Sequence, residues 1–270
     1  MPELPEVETT RRGISALCGD QVSDVVIRQS KLRWLVPLGL RRTLSGRHLI
    51  AIDRRAKYLL LRFDTGCLIV HLGMSGSLRI VPIGTPAERH DHLDLAFASG
   101  RCLRFRDPRR FGSVHWTQGP PERHRLLTNL GLEPFAPEFT GAYLLHKARN
   151  RTSAIKQLIM DGRIVVGVGN IYANEALHAA GILPTRPAGR ISLARFNRLA
   201  QAIRETLERA IESGGTSLRD FVGGDGAPGY FQQSLQVYQR TGAPCACGRG
   251  VIRSVRLAQR ATYFCRACQH

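Results

Sequence analysis

The last 26 residues of the chain carry four cysteines in two close pairs, Cys245 with Cys247 and Cys265 with Cys268. Four thiolates at tetrahedral distance can bind Zn²⁺ and fold a segment that is too small for a hydrophobic core of its own. The stretch VIRSVRLAQRATYF between the pairs alternates apolar and polar residues, which predicts a β-hairpin. The sequence therefore predicts a C-terminal zinc-finger hairpin that holds one structural Zn²⁺.

The two cysteine pairs differ in spacing. Cys265 and Cys268 have the usual C-x-x-C spacing, whereas Cys245 and Cys247 have C-x-C, a tighter bite that permits fewer backbone N–H bonds to the first sulfur. The alternative, four unrelated thiols, is disfavoured by their clustering. The short spacing leaves the local geometry of the metal site open.

Hydrophobic periodicity separates two regions of the chain. From Val22 to about Trp116, short segments such as CLIVHLG and RCLRFR alternate between turn residues, which predicts the strands of a sandwich or barrel. A short helix is predicted before them, from Pro5 to Leu17. After the Pro-rich stretch from Gln118 to Pro137 the apolar residues recur at helical spacing. The Gly-rich segment that follows the last long helix is predicted to be a loop.

The charge balance indicates a polyanionic partner. The chain has 39 Lys and Arg against 21 Asp and Glu, a formal net charge of +18. A membrane surface would also attract this charge, but no apolar run approaches the ~20 residues of a spanning helix. Nucleic acid is therefore the preferred partner. The N-terminus has no apolar signal region, so a cytoplasmic location is expected.

The N-terminus has the composition of a nucleophilic site. Removal of the initiator Met would leave Pro2 as a free secondary amine. An α-amino group has a pKa near ~7.7–8.0, against ~10.4 for lysine, so a useful fraction is neutral and able to attack a sugar C1′. The flanking Glu3 and Glu6 could donate a proton from a buried cleft. From these letters alone, an ordinary second residue remains the favoured interpretation.

A family resemblance changes that balance. The segment MPELPEVETTRRGI resembles the N-terminus of bacterial formamidopyrimidine-DNA glycosylases. Further segments resemble the family in the same order, among them RRAKYLLLRF, HLGMSGSLR, DPRRFG, VVGVGNIYANE, GGTSLRDF and AQRATYFC. The coverage of the whole chain makes coincidence implausible.

The resemblance implies an α+β fold. Its parts are an N-terminal β-sandwich with flanking helices, a helical domain with a helix-two-turns-helix motif, and the zinc-finger hairpin. The corresponding boundaries are 1–117 for the catalytic domain, 118–137 for a linker, 138–235 for the helical DNA-binding domain and 236–270 for the hairpin. A monomer is expected by the same resemblance.

The implied activity is that of a bifunctional base excision repair enzyme, a glycosylase and abasic-site lyase. It would excise 8-oxoguanine and formamidopyrimidines from double-stranded DNA through a Schiff base, followed by β,δ-elimination. Its DNA partner would contain oxidised bases or abasic sites. Two alternatives remain: a sister enzyme that prefers oxidised pyrimidines, and a DNA-binding protein that has lost catalysis. MPELPEVET and DPRRFG favour the purine enzyme.

The resemblance also assigns residues. The catalytic ones are Pro2 as nucleophile, Glu3 as general acid, Lys57 for strand cleavage and Arg260 for the phosphate linked to δ-elimination. Met74, Arg109 and Phe111 would fill the space that the flipped nucleotide leaves.

Four further residues are implied to contact the DNA backbone: His90, Arg151, Lys156 and Asn170. Outside the family, each of the DNA-contacting residues has an ordinary alternative as a surface charge, a core residue or a turn before a helix. The loop from Thr216 to Tyr230 is expected to cover the everted base.

Overall fold

The computed structural model describes residues 2–216 and 231–270. The chain divides into two compact units. The first unit consists of Met1–Thr128 and Ser213–Gln232, and the second of Asn129–Glu212 and Gln233–His270. The predicted lesion-covering loop lies, apart from Thr216, outside the described residues.

Among the described residues, the first unit contains two four-stranded antiparallel sheets. One has the strand order β1-β6-β7-β5 and the other β2-β3-β4-β8. The strands are β1 Val22–Ile27, β2 Leu49–Arg55, β3 Tyr58–Phe63, β4 Gly66–His71, β5 Ser77–Pro82, β6 Asp91–Phe97, β7 Arg101–Arg106 and β8 Ser113–Thr117. The described α-helices of this unit are α1 Leu4–Ile14 and α2 Leu40–Leu44.

One hydrophobic cluster of described residues contains side chains from both sheets. Leu59 and Leu61 of β3 belong to the same buried cluster as Leu93 of β6 and Phe105 of β7. Helix α1 adds Val7 and other apolar side chains to that cluster. The predicted β-sandwich is therefore confirmed, and the predicted N-terminal helix lies against it.

The second unit is mainly helical. Its described helices are α3 Gly141–Ala148, α4 Ile155–Met160, α5 Asn170–Ala179 and α6 Leu193–Glu212. Helix α6 packs against α3 and α5 and buries one face, which includes Phe196, Leu199 and Ile203. Residues 161–169, a turn-rich segment, connect α4 to α5.

The predicted C-terminal hairpin is present in the second unit. Strands β9 Ile252–Leu257 and β10 Arg260–Cys265 pair in antiparallel register, with Arg260 opposite Leu257. Both residues of the turn, Ala258 and Gln259, have positive φ, as a type I′ turn requires. Helix α5 packs against β10, so the hairpin belongs to the helical unit rather than standing alone. The finer boundaries 1–117, 118–137, 138–235 and 236–270 stay predictions.

Candidate functional site

The N-terminal residues Pro2 and Glu3 directly precede helix α1. Pro2 and Glu3 are buried, and Glu3, at the helix N-cap, is 3% exposed. The backbone N–H of Glu3 donates a 2.7 Å hydrogen bond to Oε2 of Glu6. Oε1 of Glu6 accepts a second, 2.9 Å bond from the backbone N–H of Thr216. One buried carboxylate, that of Glu6, therefore holds the backbone at Glu3 and links it to the backbone at Thr216.

Lys57 lies in the two-residue turn between β2 and β3. Its neighbour Ala56 has φ 56°, and positive φ at the first turn position alone is the pattern of a type II′ turn. Nη1 of Arg54 donates to the carbonyl oxygen of Ala56 at 3.0 Å, while Nε of Arg54 is 3.3 Å from Oε2 of Glu8 on α1. Arg54 thus connects the turn that carries Lys57 with the helix that follows Pro2.

Glu8 is the centre of this ionic connection. Burial opposes its ionisation, but hydrogen bonds from Arg11 and Arg12 and the charges of Arg11 and Arg54 hold the pKa of its carboxyl below its usual value. Because Glu8 stays ionised, the link from α1 to the Lys57 turn is charge-assisted across the neutral pH range.

The loops that carry Met74 and Phe111 are joined by Asp107. Its buried carboxylate accepts a 2.7 Å bond from the backbone N–H of Gly112 and a 3.1 Å bond from Oγ of Ser75. The backbones touch as well, since a Cβ on Gly73 would lie 2.4 Å from the nitrogen of Gly112.

This arrangement presents an apolar pair on a fixed support. Met74 is 39% exposed and Phe111 44% exposed, and both line one cavity of about 560 Å³. The guanidinium of Arg109 lies over the ring of Phe111, 4.8 Å from its centroid. The structure thus brings together the three residues predicted to fill the vacated space in DNA.

His90 lies on the loop before β6 and is half-buried. Its carbonyl oxygen accepts from the backbone N–H of Asp107 at 3.0 Å. The ring of His92, 6.4 Å away, contacts the carbonyl of Asp107 through Nε2 at 2.8 Å. His90 is therefore connected through the Asp107 backbone to the loop that carries Arg109 and Phe111.

In the second unit, Asn170 and Arg260 lie on contacting elements. Asn170 is the first residue of α5, where the helix dipole favours an anion. Its Nδ2 donates to the carbonyl oxygen of Ala261 at 3.1 Å, and Arg260, the preceding residue, is exposed. Arg151 is also exposed, in the loop between α3 and α4. These three side chains suit the binding of phosphate oxygens.

Lys156, which is predicted to contact the DNA backbone, is buried inside the protein. It is 1% exposed, and its Nζ donates to the carbonyl oxygen of Ala261 at 3.0 Å and to Oγ1 of Thr262 at 2.8 Å. The ammonium is therefore used within the protein to hold β10 against α4. Direct contact of Lys156 with a DNA phosphate gains no support from this geometry, because the side chain does not reach the surface.

The four C-terminal cysteines form a compact cluster. Their sulfur atoms lie within 4.8 Å of one another, with Cys245 to Cys268 at 3.8 Å and Cys247 to Cys265 at 3.9 Å. Four sulfurs at ~2.3 Å from a zinc ion, arranged as a tetrahedron, would be about 3.8 Å apart. A backbone hydrogen bond from Arg249 lowers the pKa of the Cys247 thiol to about 7. The donor set and its spacing fit one structural zinc ion.

Comparison with known proteins decides the family. Residues 1–114 match the family model for the formamidopyrimidine-DNA glycosylase N-terminal domain, and residues 130–222 match the formamidopyrimidine-DNA glycosylase H2TH domain. The chain belongs to the formamidopyrimidine-DNA glycosylase family. The resemblance based on the sequence motifs is thereby confirmed, together with the helix-two-turns-helix domain.

Relatives that match over their full length are named formamidopyrimidine-DNA glycosylases. Formamidopyrimidine-DNA glycosylase of Methylococcus capsulatus is 59% identical over 271 residues, and that of Pseudomonas aeruginosa 57% identical over 270, each with 100% of both chains covered. A complex of a Lactococcus lactis FPG mutant with Fapy-dG-containing DNA is similar in structure, with a TM-score of 0.92, 32% identity and 100% coverage of both chains. A complex of Lactococcus lactis Fpg with abasic-site DNA has a TM-score of 0.91, 33% identity and 99% coverage of both.

Three supporting residues of this formamidopyrimidine-DNA glycosylase family member were missed by the sequence analysis. One is Asp107, described above. Another is Glu175 on α5, whose carboxylate accepts from the backbone N–H groups of residues 236–238 at 2.8 to 3.0 Å. The third is His178, whose Nε2 is 3.3 Å from Sγ of Cys245. Polar residues inside an otherwise apolar helix, as in NIYANEALHA, were a usable signal for the last two.

Within residues 2–216 and 231–270, no helix combines the length and apolar character needed to cross a bilayer.

Proposed function

We propose that this family member excises oxidised purines from double-stranded DNA and then cleaves the strand, with the amine of Pro2 as nucleophile. The observation that carries the proposal is the burial of Pro2 and Glu3 side by side at the start of α1, on a backbone anchored through Glu6. A secondary amine at Pro2 can attack a carbon centre, and the carboxyl group of the adjacent Glu3 can serve as its partner in proton transfer.

The chemistry uses these two groups in sequence. The nitrogen of Pro2 forms a bond to C1′ as the bond to the base breaks. The electron pair leaves with the base, which takes up a proton from water, and the Pro2 nitrogen releases its proton to water. Glu3 donates a proton to the sugar oxygen, the ring opens, and an iminium ion results. Loss of the C2′ proton then expels the 3′ phosphate, and loss of the C4′ proton in a second elimination expels the 5′ phosphate. Lys57 assists strand cleavage, and its turn is coupled to α1 through Arg54.

The DNA contacts follow from the exposed groups. Met74, Arg109 and Phe111 occupy the space of the flipped nucleotide, because the three are presented on two adjoining loops. His90, Arg151, Asn170 and Arg260 bind phosphate oxygens, and Arg260 also serves δ-elimination. Lys156 acts as a positioning residue that holds β10, and with it Arg260, in place.

The cofactor and compartment agree with this role. One zinc ion bound by Cys245, Cys247, Cys265 and Cys268 would stabilise the hairpin and take no part in the chemistry. We propose the cytoplasm as the compartment, because all seven cysteines are unpaired with one another, as in reducing surroundings. The chain is proposed to act as a monomer.

Borohydride trapping tests the proposal. Wild-type protein with a free Pro2 and the same chain with an uncleaved N-terminal extension are mixed with a duplex that contains 8-oxoguanine opposite cytosine. Borohydride should reduce the iminium to a stable adduct that peptide mapping places at residue 2, and the extended chain should give none. Binding of both proteins without any adduct would support the non-catalytic alternative, and an adduct at another residue would overturn the assignment of Pro2.

Glu3→Gln separates the two chemical steps. The amide cannot donate a proton, so excision of 8-oxoguanine should fall by at least 100-fold, within the range of general acid catalysis. Trapping on a duplex with a preformed abasic site should fall much less, since the abasic sugar opens to an aldehyde without help from Glu3. A matched duplex with an oxidised pyrimidine distinguishes the purine enzyme from its sister class. That comparison is needed, since a Lactococcus lactis relative has been solved with oxidised-pyrimidine DNA.

A further inference from the structure

His178 approaches the cysteine cluster from α5. Its Nε2 lies 3.3 Å from Sγ of Cys245 and 3.7 Å from Sγ of Cys268. The ring is half-buried in the last turn of the helix, and the carbonyl of His178 accepts from the N–H of Gly181, which ends the helix. A nitrogen at these distances can donate a hydrogen bond to a thiolate.

His178 continues a polar stripe along α5. Asn170, Asn174 and His178 are four residues apart and therefore lie on one face of the helix. Each contacts the C-terminal segment: Asn170 donates to the carbonyl of Ala261, and Asn174 accepts from the N–H of Tyr263 at 2.8 Å. His178 makes the third contact, at the sulfur cluster. The stripe runs from the proposed phosphate site to the metal site.

The spacing of the first cysteine pair explains why an added donor is useful. Zinc bound by four thiolates carries a net charge of about −2, and N–H donors to sulfur spread that charge. The N–H of Cys247 bonds to the sulfur of Cys245, and the C-x-C turn has one residue fewer than C-x-x-C to supply another amide. The imidazole lies where such a second donor would be needed.

We propose that His178 supports the zinc site without binding the metal itself. Its Nε2–H donates a hydrogen bond to the thiolate of Cys245. This bond offsets the donor lost through the C-x-C spacing. It also fixes the metal-bound loop to α5, the helix that begins with Asn170. The inference concerns the metal site alone and does not depend on the proposed glycosylase activity.

Zinc affinity of three variants tests the inference. His178→Phe keeps an aromatic ring without a donor, and His178→Gln restores an N–H at similar reach. His146→Phe is the matched control, because His146 is an exposed histidine in the last turn of α3. Outer-shell partners contribute about 10- to 100-fold to metal affinity, so a chelator should remove zinc from His178→Phe at a correspondingly lower concentration. His178→Gln and the control should resemble wild type. Equal affinity of wild type and His178→Phe overturns the proposal.

Spectroscopy of the wild-type protein covers the case in which a variant fails to fold. X-ray absorption at the zinc edge should show four sulfur neighbours, and the ¹⁵N spectrum of the His178 ring should show a proton on Nε2. Three sulfurs with one nitrogen would mean that His178 is itself a ligand, and an unprotonated Nε2 would mean that the ring cannot donate to the sulfur. Either result would overturn the supporting role of His178.

Discussion

Oε1 of Glu6 accepts a 2.9 Å hydrogen bond from the backbone N–H of Thr216, although the two residues are 210 positions apart. The second oxygen of Glu6 holds the N–H of Glu3. Gly215 lies so close that a Cβ there would be 3.3 Å from the Glu6 side chain, and its φ of 83° also favours glycine. One buried carboxylate therefore fixes the start of α1 and the entry to the segment expected to cover the lesion.

Replacement of Glu6 by Ala should destabilise the protein. Two buried backbone N–H groups, those of Glu3 and Thr216, would lose their acceptor. Each loss should lower the free energy of unfolding by about 1–3 kcal/mol. Urea unfolding should show a loss of that order. The control is Glu122→Ala, which removes an exposed ion pair with Arg62 and should change stability by less than about 1 kcal/mol. Equal midpoints for the two variants would contradict the anchoring role.

Asp107→Ala should loosen the support of Met74 and Phe111. The buried carboxylate holds Gly112 and Ser75, so its loss should cost about 1–3 kcal/mol and increase amide hydrogen exchange in both loops. Glu88→Ala, which removes an exposed carboxylate on the loop before β6, serves as the control. Unchanged exchange in the two loops would show that they are held by other contacts.

Phe111→Ala should impair base extrusion without impairing folding. The ring is 44% exposed, so unfolding free energy should change by no more than about 0.5 kcal/mol. Loss of a wedge that offsets about 1–3 kcal/mol of unstacking should slow extrusion by about 10- to 100-fold, measured by 2-aminopurine fluorescence next to the lesion. Ile83→Ala, at another exposed apolar residue, should behave as wild type. Extrusion at the wild-type rate in Phe111→Ala would rule out the wedge.

Lys156→Met distinguishes a positioning role from a phosphate contact. A direct contact contributes about one unit to the slope of log affinity against log salt concentration. Arg260→Ala should lower that slope by about one, whereas Lys156→Met should leave it at the wild-type value. The lost bonds to Ala261 and Thr262 should instead speed amide exchange in β10. A lower slope of log affinity against log salt concentration, with unchanged amide exchange in β10, would mean that Lys156 contacts a DNA phosphate.

His71 should make stability fall in mild acid. Burial, followed by the charges of Lys57 and Arg33, lowers the pKa of His71 from 6.5 to about 4. Between pH 6.5 and about 4 the imidazole of His71 is therefore protonated in the unfolded chain but not in the folded chain. The contribution of neutral His71 to the free energy of unfolding is complete above pH 6.5 and is lost as the pH falls toward 4. The full difference is about 3 kcal/mol.

His71→Asn provides the comparison, since the amide oxygen can accept the bond that Nδ1 of His71 accepts from the N–H of Gly73. Unfolding free energies are measured from pH 7 to pH 4.5. Wild type should lose more stability than His71→Asn over this range, while His48→Asn, at an exposed histidine, should follow wild type. Parallel profiles for wild type and His71→Asn would contradict the lowered pKa.

Much of the candidate site could be predicted because it depends on local spacing. A strand alternates with period two and a helix with period 3.6, so the sandwich strands and α1 follow from the letters. Two cysteine pairs around an alternating segment define a metal hairpin within 26 residues. Met74, Arg109 and Phe111 were recognised through short family motifs, and their loops do meet.

Contacts between distant segments could not be predicted in this way. The sequence around Lys156 is that of a basic helix start, and only the structure shows that its ammonium is buried and bonded to β10. In the same way, only packing brings His178 to Cys245, 67 positions away, and Glu6 to Thr216.

The sequence by itself determined the elements, the metal-binding residues and the family, since each rests on residue types at short, regular intervals. The tertiary structure decided which polar side chains face solvent and which are consumed in holding the protein together. The physical reason is that a buried polar group must find a partner, and the partner is selected by the packing of whole elements rather than by the neighbours in the chain.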